Sequence, residues 1–117
     1  MTRDEFDNYC GSLKSTTHVV QWGDASVWKI GGKVFAIHSG LGNKNAHSLS
    51  FKCSDLNFQI LCELDGIIPA PYLARGKWVQ LTTKEAMNNQ DAKDYISASY
   101  GIISKKLTKK LQAELGL

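Results

Sequence analysis

The chain has 117 residues, of which 43% are hydrophobic and 21% charged, a size and balance that suit one domain with a single buried core. Its net charge of +3 is mild, and its three cysteines (Cys10, Cys53 and Cys62) are widely spaced with no CxxC pair, against a disulfide framework or a zinc knuckle and in favour of a reducing compartment. No apolar run approaches a membrane span and the start, Met1-Thr2-Arg3-Asp4-Glu5, is acidic, unlike a signal peptide, so a cytoplasmic location is expected.

Thr2-Arg3-Asp4-Glu5 is a capping-box pattern, and Phe6, Tyr9, Cys10 and Leu13 follow at one-face helical spacing, predicting a first helix near residues 3–15. From Val19 to Cys53 the period becomes two. Val27 to Ile30 and Lys33 to Ile37 flank Gly31-Gly32, a two-residue hairpin turn whose positive φ angles glycine tolerates. Ser39 to Asn45 reads as a polar loop, and Leu49, Phe51 and Cys53 then share one face of a further strand. The block predicts an antiparallel meander with one wet face. Ser54 or Asp55 caps a short second helix that stops at Gly66. Next comes Gly66-Ile67-Ile68-Pro69-Ala70-Pro71-Tyr72-Leu73-Ala74-Arg75-Gly76-Lys77-Trp78-Val79, which holds both prolines and is expected to be a rigid, non-helical rail. Lys77 to Leu81 is the last strand. Asn88 to Asp91 caps a long third helix through Leu107, and Thr108 caps a terminal turn. The order predicts an α+β two-layer domain spanning residues 1–117.

Motifs for catalysis or cofactors are weak. Gly40-Leu41-Gly42 lacks the third glycine and the following helix of a dinucleotide loop, so a plain loop between strands explains it. His38, His47 and Cys53 match no metal-ligand spacing. The cysteines lie on apolar sides of their elements, and Ser99-Tyr100-Gly101 lacks the preceding glycine of a nucleophile elbow. Asp4, Glu5 and Asp7 are better explained by the dipole of the first helix than by a bound cation. No cofactor or metal is expected.

Charge is segregated along the chain. Between Asp24 and Asp55 stand four lysines (Lys29, Lys33, Lys44 and Lys52) and no acid, and between Asp65 and Glu85 stand Arg75, Lys77 and Lys84, again with no acid. Such blocks can create a local positive field, although lysines on short strands also serve solubility and edge protection. Trp22, Trp28, Tyr72 and Trp78 interleave with these cations, an arrangement that could stack bases. Tryptophans on strands more often build cores, and Tyr72 and Trp78 are expected to pack.

The chain resembles the MmcQ/YjbR family of small bacterial proteins. The resemblance rests on Trp22-Gly23, on Val27 to Ala36, on Ser50-Phe51-Lys52-Cys53, and above all on Gly66 to Leu73 followed by Lys77-Trp78-Val79, with Ser99-Tyr100 and Leu107 to Leu111 resembling the closing helix. Ala74-Arg75-Gly76 departs from the usual lead-in to the tryptophan, and the loop after Ile37 is richer in glycine and asparagine. The resemblance implies a CyaY-like fold, a two-layer sandwich with helices on one face of an antiparallel sheet. It also implies a DNA-binding protein with a double wing of hairpins, without a set of base-reading residues. The expectation is therefore a non-enzymatic, monomeric protein that binds nucleic acid, duplex DNA first, through its phosphate backbone. Lys33 beside the hairpin tip would approach the backbone, with Lys29, Lys44, Lys52, Arg75 and Lys77 supplying further contacts. The alternative is a protein-interaction or small-ligand module using the open sheet face. Iron handling through Asp4, Glu5 and Asp7 is a third idea, weakened by the few carboxylates and the basic strands.

Overall fold

The structure, a computed structural model, describes residues 1–39 and 48–117. The chain runs α1 (Arg3–Ser12), β1 (Thr16–Gln21), β2 (Ala25–Ile30), β3 (Lys33–Ser39), β4 (Ser48–Lys52), α2 (Asp55–Leu61), β5 (Ile67–Pro69), β6 (Trp78–Leu81), α3 (Asn89–Lys105) and α4 (Lys109–Glu114). The strands form one six-stranded sheet in the order β1-β2-β3-β4-β6-β5, with every neighbouring pair antiparallel. This is the expected α+β architecture. Several boundaries differ from the sequence expectation: α2 ends at Leu61 rather than at Gly66, α3 ends at Lys105 rather than Leu107, and two further differences have a visible cause. The first helix ends at Ser12 rather than residue 15, because Leu13 is extended and Ser15 takes a left-handed φ of 62°. The rail begins as a strand: Ile67 to Pro69 pair with Leu81 to Val79, and Pro69 at the sheet edge leaves no ladder N–H missing inside the sheet.

Local chemistry explains the helix starts. Thr2 and Glu5 complete the capping box, the Glu5 N–H donating to Thr2 Oγ1 at 3.2 Å and the Thr2 N–H to Glu5 Oε1 at 3.0 Å. Ser54, Asn88 and Thr108 cap the other three helices through their side-chain oxygens. All four helices contribute to packing on one face of the sheet. Phe6 and Cys10 of α1, Phe35, Leu49, Phe51, Val79 and Leu81 of the strands, and Ile96 and Ile103 of α3 form that core. Each fully buried large side chain there contributes about 1.5–3 kcal/mol. None of the helices of the described residues is long and apolar enough to cross a membrane.

The sheet has a bulge at Trp28/Lys29 against β3, and the ladder between β3 and β4 ends near it, at Ala36 opposite Phe51. Ser99 closes this gap. Its side chain is fully buried; it donates to the Phe35 carbonyl at 2.7 Å and accepts from the Lys52 N–H at 3.0 Å. The residue that resembled part of a nucleophile motif is a polar clip between two strands and a helix.

The other face of the sheet is partly roofed. Ala25, Val27, Ala70 and Trp78 are buried yet stand outside the helix-side core. The rail folds back over this face: the Ala70 N–H donates to the Trp78 carbonyl at 3.0 Å, and a single 3-10 turn at Ala74–Gly76 returns the chain to β6. Trp78 is thus packed, as expected, and Trp28 is half-buried against α1, its indole N–H on Asp7 Oδ1 at 2.9 Å. Trp22 and Tyr72 are not packed: they are 56% and 104% exposed. Both have left-handed backbones, φ 54° and 66°, which turn their side chains out of the chain's local path.

Candidate functional site

The cations singled out in the sequence fall into three groups. Lys52, the last residue of β4, stands opposite Trp78 of β6, and its ammonium donates to the carbonyl of Gly76. That contact brings it to the rail segment that carries Arg75 and Lys77. Arg75 is exposed, while Lys77, in the left-handed conformation at φ 62°, lays its ammonium 5.2 Å from the centre of the Phe58 ring. Lys33 is exposed at the mouth of the Gly31-Gly32 turn. Lys29 is half-buried on β2, alternating with Trp28 and Ile30 and so directed to the face away from the helices. Lys44 lies outside the described residues.

The fold adds a cation that sequence reasoning overlooked. Lys106, which caps the end of α3, stands beside Lys52; burial first, and then the charge and hydrogen bonding of Lys106, push the Lys52 ammonium below the usual lysine range, with Asp55 offsetting only part. The α3–α4 junction also meets the β2–β3 turn, since a Cβ on Gly31 would sit 2.6 Å from Leu107 Cδ1. The exposed Lys105, Lys109 and Lys110 flank the same junction in sequence. The end of the sheet formed by the hairpin tip, the end of β4 and the start of β6 therefore gathers Lys33, Lys52, Arg75, Lys77 and Lys106. Lys105-Lys106 and Lys109-Lys110 were visible in the sequence, but cations at a helix end have a sufficient explanation in the helix dipole. The closeness of Lys106 to Lys52 depends on a contact across more than fifty residues.

Asp55 acts on Lys52 at this end, but no ion pair forms there among the described residues. Among the described residues the ion pairs are Arg3 with Asp24 at 3.3 Å and His18 with Asp7 at 3.9 Å, neither involving a lysine. Two ammonium groups side by side, one of them partly withdrawn from water, repel each other. A bound anion would reverse the sign of that interaction, which is why such a perturbed group is a candidate site.

The arrangement of Asp7, Ser26 and His18 superficially resembles a catalytic triad. Ser26 is fully buried and donates to Asp7 Oδ1 at 2.5 Å, and His18 Nε2 lies 2.7 Å from Ser26 Oγ. The order is wrong for nucleophile activation, which requires histidine between serine and acid. Here the serine stands in the middle, its proton committed to the carboxylate, and the cluster ties α1 to β1 and β2. Burial pushes the Cys10 thiol far up and that of Cys53 up to about 12, so neither supplies a thiolate near neutral pH. Of the carboxylates considered for iron, Glu5 is held below the usual range by the N–H and hydroxyl of Thr2, and Asp7 accepts from Ser26 and Trp28. Among the described residues no group of three histidines, cysteines or carboxylates converges for a metal; His47 is outside them. His38 is buried and packs on Phe6, their ring centres 5.4 Å apart.

Comparison with known proteins adds a family and a frame. The YjbR family model matches residues 11–102. A crystal structure of the Deinococcus radiodurans protein DR2400, a DUF419 domain, superposes with a TM-score of 0.86 at 22% identity, covering 99% of this chain and 88% of that one. A crystal structure of a protein from Pseudomonas syringae gives 0.73 at 18% identity, covering 88% of this chain and 99% of that one. At these identities the likeness concerns the fold. No curated protein matches.

Proposed function

The chain belongs to the YjbR family, and from that premise and the cations gathered at one end of its sheet we propose that it is a non-enzymatic, cytoplasmic nucleic-acid-binding protein that grips the phosphate backbone of duplex DNA. The observation that carries the reading is the pair Lys52–Lys106, which the fold brings together and which, among the described residues, forms no ion pair with a carboxylate, Asp55 offsetting only part of the Lys52 shift. Backbone contacts need cations at spaced positions on a rigid frame, and Lys33, Arg75 and Lys77 supply them around the pair. The β2–β3 hairpin, with Lys33 at its tip, serves as one wing. Among the described residues no side-chain set for reading base edges accompanies them, so binding is sequence-tolerant.

Affinity for a duplex then falls steeply with salt. Lys33→Glu and Lys106→Glu, each at an exposed position, weaken binding at low salt and flatten the slope of log affinity against log salt by about one unit per lost contact. A salt titration by fluorescence anisotropy checks both. Undetectable binding at low salt, or variants with the parental slope, would sink the proposal.

A further inference from the structure

On the sheet face away from the helices, Ala25, Ile37 and Ser50 floor a cavity of about 190 Å³, and Trp22, Pro71 and Leu73 stand around it. The floor is polar at one point. Ser50 is only 7% exposed, and its hydroxyl has no hydrogen-bond partner among the described residues. The hydroxyl opens onto the cavity, where solvent can meet it and a polar group of a ligand can take the solvent's place. Gln80, directly opposite Ser50 on β6, gives its amide N–H to Ser48 Oγ and also lines the cavity.

The rim carries an aromatic ring. Trp22 lines the opening with a 56% exposed indole, whereas the fully exposed Tyr72 stands clear of the cavity. Left-handed backbones at non-glycine residues cost of the order of 1–3 kcal/mol each, and both aromatics are displayed at that cost. Lys52 lies two residues along β4 from Ser50, roughly 7 Å away on the same face.

We infer that this cavity receives one unpaired nucleobase. Its face stacks on Trp22, its edge meets the Ser50 hydroxyl and the Gln80 side chain, and its phosphate points toward Lys52. A hydrocarbon would strip solvent from the Ser50 hydroxyl without replacing it, and a base inside a duplex has both faces stacked and its Watson–Crick edge paired. The base chemistry is shared by a free mononucleotide and by one unit of a single strand. Only the direction of the phosphate rests on the nucleic-acid reading above; the pocket itself does not.

The test uses the full chain, with calorimetry and amide and indole chemical shifts as readouts. Uncharged nucleosides probe the pocket alone, their 5′-monophosphates and an unstructured oligonucleotide probe the two sources, and a duplex probes the lysine end. Nucleosides should shift Ser50, Gln80 and the Trp22 indole. Ser50→Ala should weaken them about 5–10-fold, and Trp22→Gly about 10-fold or more through lost stacking. Neither variant should lower duplex affinity or thermal stability, since glycine accepts the φ at residue 22 and alanine removes a hydroxyl that opens onto the cavity. Tighter binding of the oligonucleotide than of the monophosphate identifies a single strand as the source, and the reverse identifies the free nucleotide. No shift at these residues with millimolar nucleoside, or parental nucleoside affinity in both variants, overturns the inference. Duplex binding that persists in that case leaves the backbone reading standing.

Discussion

Ser99 and Lys52 meet at one peptide group, yet they stand on opposite sides of the balance between stability and function. The Ser99 hydroxyl satisfies two backbone groups where the β3–β4 ladder stops. Ser99→Ala leaves both without that partner in a buried setting, so it should destabilise the protein by about 1–3 kcal/mol in urea unfolding. Lys52 behaves in the opposite way. Its ammonium is below its usual pKa range because burial and then Lys106 disfavour the charge, so at neutral pH the charged form weakens the fold. That penalty is present below the lowered folded-state pKa and disappears as pH rises through it. Lys52→Met, which keeps most of the apolar stem, should therefore leave the unliganded protein at least as stable at pH 7. The difference from the parent should shrink at alkaline pH, and duplex affinity should fall. A variant clearly less stable at pH 7 would refute this account of Lys52. Neither residue's role could be read from sequence: Ser99 lay on the inward face of a predicted helix with nothing to mark its two backbone partners, and Lys52 differed in no visible way from its fellow lysines.

At the scale of elements, the patterns that were legible are those whose cause is local. The capping box, the one-face spacing of Phe6 and Cys10, and the Gly31-Gly32 turn depend on residues within a few positions of one another. The three-residue β5 was hidden because its strand character comes from pairing with β6, not from its own alternation. The hairpin glycines separate backbone strain from packing. Both have positive φ, 58° at Gly31 and 82° at Gly32, but a Cβ at Gly31 would also enter the Leu107 side chain, whereas at Gly32 it meets nothing within 4 Å. Gly32→Ala should cost about 1 kcal/mol, the conformational part alone. Gly31→Ala should cost more, by displacing the α3–α4 junction from the hairpin and with it Lys106 from Lys52. Equal losses in paired thermal melts would show that the junction yields freely.

Over the whole molecule, a net charge of +3 conceals a polar distribution of function. Helices and core occupy one face of the sheet, five of the cations gather at one end, and the rail folds across the remaining face to make a cavity. The sequence revealed the acid-free blocks but not that end, because it is assembled from a hairpin, a strand terminus, a rail and a helix terminus far apart in the chain. The rail illustrates the same limit. Its prolines marked it as rigid and extended, and Trp78 packs as anticipated, yet the exposure of Tyr72 follows from a backbone angle that no residue type there would announce.

The two borders of the sheet are unequal, and this limits how copies of the chain can associate through them. β5 is three residues long and ends in a proline, so it offers almost no backbone for another strand to join. β1, six residues long, has its outer rim unoccupied among the described residues. Polymerisation by strand addition needs two joinable borders per molecule, one to receive and one to extend. With a single joinable border, two copies meeting at β1 around a twofold axis would use up all the available backbone, and the assembly would close as a dimer instead of growing into a filament.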